Sequence, residues 1–382
     1  MGGKSVLSMQ FRNAKIYGED FKFHDGGFSV EGGRFSSVLD KVSEDAVDLK
    51  GAYVIPGLID IHTHGNSGAD LTDGDETGNR KMARFQAANG VTSFNPASIT
   101  QSYDTLEKAM TMAARVSGSR EWDEARLVGV NLEGPYFSMK KKGAQNPDFI
   151  RDPDWDGFCR LNEAAKGLIR VTCVAPELPG AMEFIRRASK VSTVSVAHTD
   201  AGYGIASEAF RSGATQVTHL YNAMPGIHHR EPGVIPAAVE NNAYAELISD
   251  GLHVHPAAIR LAFRMFGAER MILISDSLRC CGLPDGQYDL GGQTAYLKDG
   301  IARLGDGTIA GSATCLYECM QRCVSFGIPK EDAIRAATYN PAHQLGLEDR
   351  IGSIATGKFA DFVICGEDLQ RKAVYVNGRK ID

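Results

Sequence analysis

Six residues in this chain have the types and the placing to do metal chemistry: His62, His64, Glu133, His198, His219 and Asp276. His62 and His64 stand two apart at the end of the apolar run VIPGLIDIHTH. On a strand, residues two apart share a face, so both imidazoles can turn to the same side. Neutral imidazole is a good ligand for zinc, iron or nickel. Taken alone, the pair reads as plainly as two solvated histidines at a strand end. Glu133 follows the apolar run LVGVNL, where a carboxylate must be solvated, paired or bound to a metal. His198 in AHTDA and His219 in THLYNA would each pass singly for a satisfied structural histidine. Three or more histidines and a carboxylate at one set of strand ends are harder to dismiss. Glu133, His198 and His219 would leave open the coordination position that hydrolytic sites keep for water. Asp276, in LISDS, could take the proton of that water, whose pKa a bound metal lowers from 15.7 to about 7. Its plainer role is to cap the following loop. Arg230, in HHREPG, has the planar fork suited to phosphate, though an isolated surface arginine is ordinarily only solvated.

These residues need a scaffold that brings distant strand ends together. Eight apolar runs suggest strands, at 54–64, 91–98, 126–135, 168–177, 191–199, 215–223, 245–253 and 271–277. Helical stretches such as ETGNRKMARFQAAN and SYDTLEKAMTMAARV lie between most of them. Strands alternating with helices predict an α/β fold of the (β/α)8 TIM-barrel type, whose sites form at the C-terminal ends of the strands. The candidate residues fall at those ends. Residues 5–50 and the last 32 residues read as short strands broken by Gly and Asp, with Asn377-Gly378 as a turn. Both ends are expected to pair into one small β-sandwich domain, comprising 1–55 and 348–382, with the barrel over 56–347. Residues 278–310, rich in Gly and Asp turns, read as an inserted β-hairpin region.

Composition narrows the classes. An apolar share of 43% suits a large globular core, and no run reaches the roughly 18 apolar residues of a membrane span. The net charge of −6 argues against a general nucleic-acid binder. MGGKSVLSMQ lacks the apolar stretch of a secretory signal, and Val6 stands where a myristoylation signal has Ser or Thr. Eight cysteines without framework spacing point to a reducing cytoplasm. Cys315, Cys319 and Cys323, four apart, read as a buried helical stripe rather than a metal cluster.

With these residues in hand, the sequence resembles amidohydrolase-superfamily enzymes, and among them the N-acetylglucosamine-6-phosphate deacetylase family. The motifs are PGLIDIHTHG (56–65), NLEGPYFSMKKKGA (131–144), AHTDA (197–201), THLYNAMPG (218–226), REPG (230–233), DGLHV (250–254), SDS (275–277), GTIAGSA (307–313), ATYNPAHQLGL (337–347) and GSIATGKFADFVI (352–364). HLYNAMP with REPG and DGLH is specific to the family; HxH and GKFADFV are common across the superfamily. The resemblance implies removal of the acetyl group of N-acetyl-D-glucosamine 6-phosphate in amino-sugar catabolism. Glu133, His198 and His219 match the metal ligands shared by family members, and His62 and His64 match a second-metal pair that only some keep. One or two divalent ions per subunit are implied, zinc first, with iron, nickel or manganese as alternatives. Asp276 matches the catalytic acid/base. Ala144, Gln145, Asn222, Ala223, Asp250, His253, Ile309, Ala310 and Gly311 match substrate contacts, and Arg230 matches a phosphate contact. A homodimer is implied.

One position departs from the family. Its KKGAH motif ends in a histidine that helps polarise the acetamide carbonyl, and here Gln145 stands in that place. Glutamine donates a neutral hydrogen bond but carries no charge. A related acetamido sugar phosphate, such as N-acetylgalactosamine 6-phosphate, is the natural variant substrate. The rival readings are another amidohydrolase, such as a D-aminoacylase, and a non-catalytic sugar-phosphate-binding barrel. The first would lack NAMPG and REPG, and the second would tend to lose ligands or the acid/base.

Overall fold

The structure is a computed structural model, and it describes residues 8–381. The expectations about the first seven residues fall outside that range. Six parallel strands follow one another in chain order: Val130–Leu132, Ile169–Val174, Thr193–Val196, Ala214–Val217, Tyr244–Ile248 and Met271–Ile274. They form a parallel half-barrel. A second parallel sheet sets Val91–Phe94 between Leu58–Asp60 and Arg126–Leu127. A bridge from Ala97 to Asn131 ties the two sheets on one side. On the other, Asp276 N donates to His62 O at 2.8 Å and His64 N to Ser277 O at 2.9 Å. All eight runs expected from the sequence contain a strand. The strands are short and rich in β-branched residues, and most positions are buried, as parallel strands covered on both faces require.

Between them run amphipathic helices with legible starts. Asp75 caps Glu76–Ala88 by accepting from Gly78 N at 2.7 Å, and Ser102 caps Tyr103–Gly118 by accepting from Thr105 N at 3.3 Å. Helix Tyr103–Gly118 buries Leu106, Ala109, Met110 and Ala113, spaced three and four apart. Cys319 and Cys323 lie on the buried face of Leu316–Ser325, with Cys315 buried just before it. All eight cysteines are free, and among the described residues no cysteine joins a group able to hold a metal. No described helix is long and apolar enough to cross a membrane.

The expected strand 126–135 is interrupted. Arg126–Leu127 pairs with Val91–Phe94, whereas Val130–Leu132 pairs with Ile169–Val174. Gly129 sits at the break because nothing larger fits: a Cβ there would lie 2.1 Å from Arg170 Cγ and 2.5 Å from Asn95 Oδ1.

The two chain ends share one eight-stranded sheet, which runs from Arg379–Ile381 through Phe362–Cys365 and Tyr53–Pro56 to Ser8–Tyr17 and Arg34–Asp40. It encloses its own core of Phe11, Phe28, Phe35, Phe362 and Tyr375. Asn377 and Gly378 both take positive φ, 48° and 69°, at the tight turn that joins its last two strands. Residues 286–304 form a three-stranded antiparallel sheet. Its apolar side packs on Ile99, Leu278 and Ala310, beside the ends of the parallel strands.

Candidate active site

The parallel strands all point the same way, so residues that end them meet at one face. His198, His219 and Asp276 each follow a strand and adopt left-handed backbone, with φ of 43°, 30° and 46°. Such residues cost about 1–3 kcal/mol each and cluster where function requires an abrupt turn. Their side chains converge with those of His62, His64 and Glu133, all buried.

Glu133 is the hub. Its Oε1 lies 3.3 Å from His198 Nε2 and 3.2 Å from His219 Nε2, and those two nitrogens are 3.1 Å apart. On the other side, His62 Nε2 is 3.4 Å from Oε1 and His64 Nε2 is 3.2 Å from Oε2. Two three-residue groups able to hold a cation therefore share one carboxylate. An ion with ~2.1 Å bonds in tetrahedral geometry holds its ligands about 3.4 Å apart, so these spacings fit a metal. Asp276 Oδ1 faces the His62/His64 pair at 3.5 and 3.3 Å.

Outer contacts aim the imidazoles. His198 Nδ1 donates to Lys141 O at 2.9 Å, and His62 Nδ1 to Glu246 Oε2 at 2.9 Å. Glu246 is itself gripped by Gln216 Nε2 at 2.7 Å and by His219 N at 3.3 Å. With Nδ1 protonated, Nε2 of each ring turns its lone pair to the centre. His62 Nε2 is buried and has no hydrogen-bond partner. Burial alone would raise the Glu133 carboxyl, but the imidazoles of His62, His198 and His219 beside it hold it well below the usual range. Asp276 is likewise lowered: burial opposes this, and His62 and His64 outweigh it.

A cavity of about 230 Å³ opens onto this cluster. Of the substrate contacts expected from the sequence, Ala144, Gln145, Asn222, Ala223, His253, Ile309, Ala310 and Gly311 line it. Asp250 does not. It stands behind His253, accepting from its Nδ1 at 2.6 Å, while His253 Nε2 meets Ala310 O at 2.8 Å. Both ring nitrogens thus face acceptors, which favours the imidazolium. Burial works against the charge, yet Asp250 raises the His253 pKa above its ordinary value. Arg230 also lies off the cavity wall: it is exposed and donates to His229 Nε2 at 2.7 Å. Gln145 is buried and fixed at both ends of its amide. Oε1 accepts from Thr100 N at 2.8 Å, which leaves Nε2 to donate to Glu133 Oε2 at 2.8 Å.

Sequence reasoning missed Glu246 and Gln216, which act beneath the site. The available signal was Glu246 as the one charge within the buried strand YAELI. Leu278 and Leu290, which give the cavity apolar wall, carried no signal of their own.

The sequence matches the amidohydrolase family over residues 53–381. It is 37% identical to an N-acetylglucosamine-6-phosphate deacetylase of Bacillus subtilis (strain 168), over 95% of this chain and 94% of that protein. It is 32% identical to an N-acetylgalactosamine-6-phosphate deacetylase of Escherichia coli O157:H7, over 90% of this chain and 91% of that one. Among solved structures, a mutant N-acetyl-D-glucosamine-6-phosphate deacetylase from Mycobacterium smegmatis, in complex with N-acetyl-D-glucosamine-6-phosphate, superposes with a TM-score of 0.91. It is 31% identical, and 99% of each chain is covered.

Proposed function

The chain belongs to the amidohydrolase family, and from that premise we propose that it hydrolyses the acetamide of N-acetyl-D-glucosamine 6-phosphate, giving D-glucosamine 6-phosphate and acetate. The observation that carries this reading is Glu133 shared between two pairs of imidazoles, with the Asp276 carboxylate beside them. We read the parallel strands as a closed (β/α)8 barrel over 56–347. We read the terminal strands as a small domain, 1–55 with 348–382, whose sheet folds over its aromatic core as a sandwich.

Glu133, His198 and His219 would hold the principal divalent ion, and His62 and His64, with Glu133 shared, a second. Zinc suits this nitrogen and carboxylate set. When bound, the ion supplies Lewis acidity, which makes water acidic enough to attack at neutral pH and polarises the acetamide carbonyl. Asp276 takes the proton of the attacking water as the new carbon–oxygen bond forms. It then gives that proton to the amine nitrogen as the carbon–nitrogen bond breaks, so acetate and amine leave and the carboxylate is restored. Gln145 Nε2 gives one amide hydrogen to Glu133 and would offer the other to the carbonyl oxygen as it becomes negative. Asn222, His253 and the 309–311 loop seat the sugar phosphate, so that binding energy remote from the amide orients it. Arg230 is the proposed phosphate contact. A soluble homodimer in the cytoplasm completes the reading.

The C4 epimer, N-acetyl-D-galactosamine 6-phosphate, is the second substrate to weigh, because a relative of comparable identity is named for it. The deciding experiment is acetate release from both epimers by protein of known metal content. Preference for the gluco epimer is expected. Metal-loaded protein that turns over neither would overturn the proposal.

A further inference from the structure

The opposite end of the parallel strands carries a second cavity, of about 240 Å³, as large as the active-site cavity at about 230 Å³. Arg126 begins one strand, seven residues before Glu133 in the chain, and Arg170 is the second residue of the next strand but one, Ile169–Val174, whose first residue pairs with Val130. Arg120, after helix Tyr103–Gly118, and Arg350, from the segment near Phe359, complete its wall. No acidic side chain lines it among the described residues. Leu127, Leu168, Leu347, Ile351 and Phe359 supply apolar wall.

Four guanidinium groups around one pocket require compensation, and the protein supplies little. Arg126 reaches Asp361 at 3.4 Å and Asn377 Oδ1 at 2.7 Å through one terminal nitrogen, and stacks on the Phe359 ring with its Cζ 3.9 Å from the centroid. Its buried Nε has no acceptor. Among the described residues Arg120 donates only to the backbone carbonyl of Glu124, whose carboxylate is taken by Arg80 and Arg84. Arg170 is the clearest case. Its stem is pressed onto Gly129, its Nε is buried without an acceptor, and among the described residues it forms no ion pair with a carboxylate. Cation–π stacking accounts for Arg126 and Arg350 but not for Arg120 and Arg170. A structural cluster of arginines would be expected to close on carboxylates, whereas this one surrounds a space.

We propose that this cavity binds a phosphate monoester of a small polar metabolite, well away from the catalytic site. A phosphate dianion has three oxygens to meet the forked donors, and guanidinium matches it bidentately. A carboxylate brings one charge and two oxygens, too few for four cations. At about 240 Å³, against about 230 Å³ for the active-site cavity, the cavity's size suits a phosphate ester no larger overall than the proposed substrate. Burial and the neighbouring Arg126 both push the Arg120 pKa down, a strain that a bound dianion would relieve.

The test is equilibrium dialysis of the full chain against inorganic phosphate and against glucose 6-phosphate, in wild type and in the double variant Arg170→Gln/Arg350→Gln. Wild type is expected to take up one equivalent of ester more than the double variant. The affinity of that equivalent should fall about tenfold or more when either arginine alone is replaced. Saturating turnover of N-acetylglucosamine 6-phosphate should be unchanged by both replacements. Tighter uptake of the ester than of phosphate supports an organic phosphate as ligand, whereas uptake of inorganic phosphate as tight as or tighter than that of the ester would overturn the monoester. Equal uptake by wild type and double variant would overturn the site itself, as would uptake by wild type that an active-site competitor displaces completely. Because Arg350 is exposed, Arg350→Gln alone tests the same point without disturbing the core.

Discussion

Replacing Gln145 by leucine removes one amide and little volume, so it isolates what that amide does. Its orientation is set by the fold: Thr100 N donates to Oε1 at 2.8 Å, so the NH2 group must face Glu133 Oε2 and the cavity. One of its two hydrogens is held by Glu133, and the other is available to the acetamide oxygen. If that hydrogen meets the developing oxyanion, losing it should lower kcat by about 100- to 1000-fold, or roughly 2.7–4 kcal/mol. KM should change little, because the contact tightens only in the transition state. The same substitution strands the buried Thr100 N–H, at a cost of about 1–3 kcal/mol in stability. Gln145→Glu separates the two effects. It keeps an acceptor for Thr100 but sets a carboxylate oxygen against Glu133, so the fold should hold while turnover falls at least as far. The assay is steady-state acetate release, with metal content and Tm measured on the same samples. A Gln145→Leu protein that keeps its metal and turns over within threefold of wild type would refute the reasoning.

Asp276→Asn should lower kcat by at least about 100-fold while metal content stays near the wild-type value; retained turnover would remove Asp276 as the acid/base. Glu246→Ala frees the His62 ring, and about 10- to 100-fold weaker binding of one metal equivalent is expected in chelator competition. A change confined to Tm, with metal affinity intact, would reduce Glu246 to a packing role. For the Asp250–His253 pair, the histidine pKa is raised and the aspartate's lowered. The stabilisation from the raised histidine is complete below its unfolded value of about 6.5 and is lost as pH rises through the higher folded value. That from the lowered aspartate is present above its unfolded value of about 3.9 and is lost as pH falls. In wild type, KM should therefore stay flat as pH crosses 6.5, whereas in Asp250→Asn it should climb there. A flat profile in the variant, or a His253 NMR titration unmoved by it, would contradict this.

Much of the molecule is written locally in the chain. Apolar runs of four to six residues alternating with capped amphipathic helices fix the element order, because period and capping act between near neighbours. The same runs show which polar residues end strands, so the cluster's members were legible before any contact was known. The turn at Asn377-Gly378 was legible too, since few other dipeptides accept positive φ twice. What the chain did not show was distance between residues far apart in it. Glu133 as the shared partner of two histidine pairs, Glu246 beneath His62 at a separation of 184 residues, and Thr100 holding Gln145 all depend on how strands are ranked side by side. So do the exposed position of Arg230 and the break at Gly129, which exists because Arg170 from the next strand occupies the space a Cβ would need. Residue chemistry and local period are properties of sequence; which groups share a carboxylate, and which stand outside the pocket, follows only when burial of the strands' apolar faces packs them side by side.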